Sequence, residues 1–471
     1  MKIYKIITIF LGLMVTISCE NQLEVVPEDQ VASNTVFNSL ATIDGLVIGV
    51  YSMNQSGDLN GMAQLMSDFM ADDVNFVGSF PSLQEIDQFN TLATNTSIDN
   101  IWLDGYQLIA AANNVITNLP DVDPAEVQGL SEALKAQFIA EAKFLRAVTY
   151  FQLVNLFAQP YQFSQGTNLG VPLTLDFFEG GDISEFQLER STVNEVHAQI
   201  EQDLLEAAAA LPASNGIRAT SGSARALLSR LYLYREQWGQ AADLANQVIA
   251  SGEYSLAADY DFYDDNPTSS ENVFVVVNTP TDGPQEVAGS DEVYVNFYNA
   301  APGGRGDAPF SQDLIDAYAS EPGDRRFDEL SVAATDAGGN NTFFTTKYPD
   351  IVNNASDGMV LRITEMYLNR AEANLRGGGS VGDTPLNDIN LLRARAGLGN
   401  LGAADLDAIL NERRKELAFE GHRRMDLLRN NRNLRPGGGA ATAPGADKVI
   451  FTIVEDEFTN NPNITQNPGN F

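Results

Sequence analysis

The chain predicts a mostly α-helical protein, a solenoid of stacked helix pairs bearing an irregular loop region with a few short strands. Three observations lead there. Apolar residues recur at steps of three and four through much of residues 36–256 and again through 359–430, as helices with a buried face require. The helical segments fall into adjacent pairs, and a pair that cannot bury its own apolar face stacks on the next. Between these parts, residues 257–358 show little helical periodicity beyond the short run SQDLIDAYASE. They hold Gly-rich turns, strand-like runs at 272–280 and 291–300, and a cluster of aromatics.

Composition narrows the function. At 471 residues, 44% hydrophobic and 19% charged, the chain is globular and large enough for a sizeable core. A formal net charge of −35 argues against nucleic acid, which such a surface repels, and suits a neutral or cationic ligand. Cys19 is the only cysteine, so disulfides, Cys-based zinc sites and paired-thiol redox chemistry are excluded. His197 and His422 are the only histidines, and both read as ordinary helix residues. No cofactor is expected.

In order, Lys2 and Lys5 precede an apolar run, Ile6 to Ile17, that is too short to span a membrane as a helix. Residues 1–18 therefore read as an export signal. Thr16-Ile17-Ser18-Cys19 resembles a lipobox, with Thr16 where leucine is commoner; the thiol of Cys19 would take diacylglycerol as a thioether. Residues 19–35 then form a lipidated tether, and 36–471 a single body. Helices are expected at 41–54 and at 100–119, where Trp102, Tyr106, Ile109, Asn113 and Ile116 form one stripe and Trp102 belongs to the core. The helix at 131–158 is apolar on two sides, so it lies sandwiched between neighbours. Helices at 192–210, 221–236 and 238–251 follow. In the last two, small Ala241 and Ala245 face bulky Leu228, Leu231 and Tyr232, an arrangement similar to a tetratricopeptide repeat. Segments 361–376 and 384–396 repeat the pairing. A final helix over 405–429 carries the stripe Leu406, Leu410, Arg413, Leu417, Glu420, Arg424, Leu428. Charges on an apolar stripe must be paired, which predicts a buried Arg413–Glu420–Arg424 network.

Several stretches resemble one family. R-x-x-E-x-Y-L-x-x-A-E-A at 362–373, LNDINLLRARAGL at 386–398, E-R-x-x-E-L-x-F-E-G-x-R at 412–423 and AEAKFLRAVTYFQLVNLF at 140–157 are similar to signatures of the SusD/RagB-like proteins. The resemblance implies a surface lipoprotein of the outer membrane, without catalytic activity, that binds oligo- or polysaccharide and delivers it to a SusC-like TonB-dependent transporter. It also implies a helical scaffold of about 36–256 and 359–430 bearing a ligand face at about 257–358.

Sugar recognition uses aromatic faces against C–H surfaces and carboxylate, amide or guanidinium forks for hydroxyls. Asp72, Asp73, Asn75, Phe76 and Phe80 supply such groups in one loop; Tyr294, Tyr298 and Arg305 supply them in a second, and Lys347 with Tyr348 in a third. Tyr294 and Tyr298 would share a face of a strand. Asp261, Asp264 and Asp265 are candidate calcium ligands, since oxygen donors suffice. The tripeptide Arg305-Gly306-Asp307 reads as turn chemistry. Two other functions stay open, an oligopeptide-binding member of the same family and a helical-barrel glycoside hydrolase using paired carboxylates.

Overall fold

The computed structural model describes residues 36–180, 182–283 and 293–469; the expected signal, Cys19 and its tether lie outside the described residues. Helix α1 (Leu40–Asn54) starts at Ser39, whose hydroxyl accepts the Thr42 N–H. A kink through Gly61, at φ 148°, leads into α2 (Ala63–Phe69); a Cβ at Gly61 would collide with the Tyr294 ring. Then come α3 (Pro81–Asp87), α4 (Thr96–Asn118), α5 (Glu132–Phe157), α6 (Val193–Ala210), α7 (Ser221–Tyr234) and α8 (Trp238–Ala250). Ser131 caps α5, and a Thr192–Glu195 capping box starts α6. Strand β1 (Asn272–Val276) opens an excursion containing α9 (Tyr294–Tyr298), α10 (Gln312–Ala319), α11 (Arg325–Leu330), β2 (Ser331–Thr335) and β3 (Asn341–Thr345). Strand β4 (Gly358–Arg362) ends the excursion. The chain closes with α12 (Ile363–Gly377), α13 (Pro385–Arg395), α14 (Leu406–Leu417), α15 (Arg423–Arg429) and α16 (Glu455–Asn460).

Helices α4 to α8 stack in sequence order, and α12 and α13 continue the stack from α8. This is the tetratricopeptide-like arrangement that the paired segments imply. As its two apolar stripes require, α5 lies between α4 and α6, with Arg146 forked onto Asp203 at 2.9 and 2.7 Å. Trp102 is in the core. The excursion is pinched at its base, where β1 pairs antiparallel with β4 from Asn272↔Arg362 to Val276↔Gly358. Farther out, β2 and β3 form a hairpin.

Two expectations are corrected. Among the described residues, 293–300 hold no strand; Tyr294–Tyr298 is one helical turn. The segment 405–429 is two helices, because Phe419 and Gly421 take left-handed φ values of 67° and 75° between α14 and α15. The helical phase resets there. Arg413, Glu420 and Arg424 are all buried, but they do not pair with one another. Glu420 accepts from Lys347 Nζ at 2.6 Å, Arg362 Nε at 2.9 Å and the Tyr263 hydroxyl at 2.7 Å. Arg413 meets Asp426 at 2.7 Å. Arg424 donates to the carbonyls of Asn155, at 2.8 Å, and Val449, at 3.1 Å.

Removing the Glu420 carboxylate leaves Lys347 in the interior without a carboxylate and takes from Arg362 one of its buried partners. Breaking a buried pair costs about 3–5 kcal/mol, so Glu420→Ala should lower the thermal midpoint by several degrees in a differential scan. A midpoint unchanged within a degree would contradict the buried pairing.

Candidate functional site

The accessible part of the expected ligand face is built from three adjoining segments. Residues 74–77 run beside 307–310, with the Asn75 N–H donating to the Pro309 carbonyl at 3.0 Å and Val77 to Asp307 at 2.9 Å. On the far side, Phe310 N–H donates to Phe343 at 2.9 Å and Ala337 N–H to Gly306 at 2.9 Å. Backbone pairing on both sides fixes the 305–310 loop on the scaffold. At Gly78 a Cβ would stand 2.7 Å from the Asp307 carboxyl carbon, so the close approach of the segments requires glycine.

Arg305 is the focus of this face. Its side chain is 26% exposed, and its Nε donates to Asp307 Oδ2 at 2.7 Å across the left-handed Gly306. The guanidinium lies 4.8 Å from the Phe297 ring centre and 5.8 Å from that of Phe80. Those rings meet edge-on at 6.2 Å, and Phe80 is half-buried. Asn75, a few positions before Phe80 in sequence, is exposed. The result is a held guanidinium fork, a neighbouring carboxylate and an aromatic edge. The Arg305–Asp307 pair is the turn chemistry expected of this tripeptide.

The other predicted ligand residues lie inside. Asp72 accepts a bidentate pair from Arg423 at 2.6 and 2.9 Å, and Asp73 accepts Arg414 Nε at 2.6 Å. Both carboxylates fasten the end of α2 to α14 and the start of α15. Phe76 is buried and stacks on Phe69 at 4.5 Å. Tyr294, Tyr298 and Tyr348 form one internal cluster. Tyr298 stacks on Tyr348 at 5.1 Å and donates to Asp68 at 2.6 Å; Tyr294 meets Tyr348 edge-on at 5.0 Å and donates to the Ser356 carbonyl. The Tyr348 hydroxyl donates to the Phe419 carbonyl at 2.6 Å. Lys347 is spent on Glu420. Of the ten residues offered for sugar recognition, Asn75, Phe80 and Arg305 retain surface. Phe297 and Asp307 complete their surroundings; the Phe80 and Arg305 neighbourhoods were legible as aromatic–polar loops, while their meeting across 225 positions of sequence was not.

The three acids proposed for calcium are not gathered. Among the described residues, no group of three or more Asp, Glu, His or Cys side chains is placed to hold a metal ion. A hydrogen bond shared with Asp259, and then repulsion from it, raises the Asp261 carboxyl, and Asp265 accepts the Asp357 N–H at 3.1 Å instead. His422 is buried and neutral, lowered to about 4 by burial and by Arg230, with its ring nitrogen 3.3 Å from Arg413.

Two family models match the chain: one described as starch-binding and associating with the outer membrane, over residues 22–233, and the SusD family, over residues 335–469. The starch-binding protein SusD of Bacteroides thetaiotaomicron is 24% identical, over 73% of this chain and 75% of that protein. A SusD superfamily protein from Bacteroides vulgatus superposes with a TM-score of 0.80 at 26% identity, covering 92% of this chain and 99% of the other. A laminarin binding SusD-like protein gives 0.75 at 26% identity, covering 92% and 100%. Stacked helix pairs displaying a rigid polar and aromatic face define a class, the binding protein on a helical scaffold. This chain belongs to the SusD/RagB family, a family of non-catalytic binding proteins.

Asp357 gives the loop region a pH dependence. Burial pushes its carboxyl up to about 6, against the Asn278 N–H it accepts and with the help of Asp265. An unfolded Asp titrates near 3.9, so the folded state prefers the protonated form. That stabilisation is complete below about pH 4 and is lost as pH rises through about 6. Asp357→Asn, which cannot ionise, should therefore resist urea better than the parent at about pH 7.5 and not at about pH 4, with EDTA present throughout. A difference independent of pH would refute this assignment.

Proposed function

We propose that this chain is a cell-surface lipoprotein that captures oligo- or polysaccharide on the Arg305 face and hands it to a TonB-dependent outer-membrane transporter of the SusC type. The observation that carries the reading is Arg305, held by Asp307 over the Phe297 and Phe80 rings at an accessible edge. The guanidinium, oriented by the buried Asp307, offers donors to ring hydroxyls, and the half-buried Phe80 offers an apolar edge to ring C–H groups. Family membership supports it, as do likenesses to relatives named for binding starch and laminarin. A neutral glycan also suits a chain of net charge −35. The proposed organisation is a signal at 1–18, lipidated Cys19 with a tether to 35, and one body over 36–471. Uptake would draw its energy from the transporter.

A glycan and peptide array selects the ligand, and calorimetry on it then tests the face. Arg305→Ala and Phe80→Ala should each weaken glycan binding about tenfold or more, on the order of 1.4 kcal/mol, with circular dichroism unchanged. Unchanged affinity in both variants would move the site, and binding to peptides alone would replace the glycan reading.

Anchoring is tested separately. Cys19→Ala should no longer incorporate labelled palmitate and should leave the membrane fraction; continued labelling would defeat the lipoprotein assignment.

A further inference from the structure

A groove of about 530 Å³ opens where the α7–α8 turn, the ends of α12 and α15, and the loops near residues 160–163 and 444–445 meet. None of its lining residues belongs to the Arg305 face. Phe163 supplies an apolar wall: the residue is 53% exposed, and a Cβ at Gly445, whose φ is 81°, would stand 3.1 Å from its ring. Gln162 donates its amide N–H to the Tyr234 carbonyl at 2.7 Å, while its Oε1 is buried and accepts no hydrogen bond among the described residues.

The charged lining is already balanced. Arg376 donates to Asn430 Oδ1 at 2.6 Å, stacks 4.3 Å from the Trp238 ring centre and faces Glu236 and Glu372, each at 3.5 Å. Arg429 is paired with Glu372 and Asp426. An ionic ligand would find no unmatched partner among these groups, so the groove favours a neutral one. Glu236 and Asn431 hold left-handed φ values of 57° and 55° on its lining, and such costly backbone is common where chains shape a binding site. The volume is in the range of ligand clefts, about 300–1,000 Å³.

We propose that this groove is a second, separate site for a neutral saccharide. A sugar ring meets its requirements: an apolar C–H face for Phe163, and hydroxyls for the polar lining of Gln162, Asn431, Glu236 and Arg376. The assignment rests on the groove's own lining and is independent of the Arg305 face.

Trp238, beside Arg376, provides the readout. The chain has two tryptophans, and Trp102 is buried, so Trp102→Phe leaves Trp238 as the sole indole. The full-length body is titrated with D-glucose, D-galactose, D-mannose, maltohexaose and laminarihexaose, and with trialanine as a neutral peptide. Emission should change saturably with at least one sugar. Phe163→Ala and Gln162→Leu, at positions on the groove lining, should each weaken that response about tenfold or more, and Arg305→Ala should leave it in place. No saturable change with any sugar, a response undiminished in both groove variants, or saturation by trialanine alone would overturn the proposal. A response lost in Arg305→Ala would also overturn it, because the indole would then be reporting the other face. If the Arg305 variants fail to affect array binding while the Trp238 titration persists, only the function proposed for the Arg305 face falls.

Discussion

Glu416 and Glu420 bracket the end of α14, and the cations drawn to them come from segments far apart in sequence. Arg326 reaches in from α11, Lys347 from the segment after β3, Arg362 from the end of β4 and Arg395 from α13. Two of these also serve the helix end directly. Lys347 Nζ donates to the carbonyls of Glu416 and Ala418, at 3.0 and 2.9 Å, and Arg362 Nη2 to that of Glu416 at 2.6 Å. Those carbonyls lack partners within the helix, and cations are favoured at its negative end. Burial alone would raise the Glu416 carboxyl, but Arg395, Arg362 and Arg326 hold it at about 2. Such a lattice adds little net stability over well-packed apolar side chains, whereas losing one member is costly. Its consequence here is geometric. The excursion, the strand pair at its base and the closing helices must all be in place before the charges are satisfied.

The same economy recurs at the end of α5. Arg424 donates to the Asn155 carbonyl and Arg190 to that of Phe157 at 3.5 Å, and neither arginine meets a carboxylate among the described residues. Both are lowered to about 10 by burial. Many of the chain's 28 basic residues are thus consumed inside, and acidic side chains dominate what remains at the surface. A scaffold that keeps its arginines in the interior presents a field hostile to anions.

Scaffold helices were legible because their apolar spacing persists over three turns or more: α1, α5, α6, α7, α8, α12 and α13 fall within a few residues of the segments read from the pattern. The ligand face was legible only as a neighbourhood. Tyr294 and Tyr298 are four apart, a spacing that puts side chains on one face of a strand and of a helix alike, so the pattern could not choose between them. Their burial depended on Tyr348, Asp68 and Gly61, which local sequence does not bring near. Asp72 and Asp73 looked like free acids because Arg423 and Arg414 lie some 340 positions away. The Arg413–Glu420–Arg424 stripe failed for another reason. It assumed one helical phase through Phe419 and Gly421, where the backbone turns left-handed.

What remains for recognition follows from how the scaffold spends its charges. At the Arg305 face the guanidinium is matched by Asp307 and set over aromatic rings. In the Phe163 groove the guanidinium of Arg376 faces Glu236 and Glu372 and lies on Trp238. Each pairing leaves donors and acceptors side by side with no net charge, next to an aromatic surface. An anion gains little there and meets an acidic surround, and a cation finds carboxylates already engaged. A molecule dense in hydroxyls and apolar on one face loses nothing to that field and can use the donors that the guanidinium keeps at the surface. The electrostatics of the interior thereby select the chemistry of the ligand at the surface.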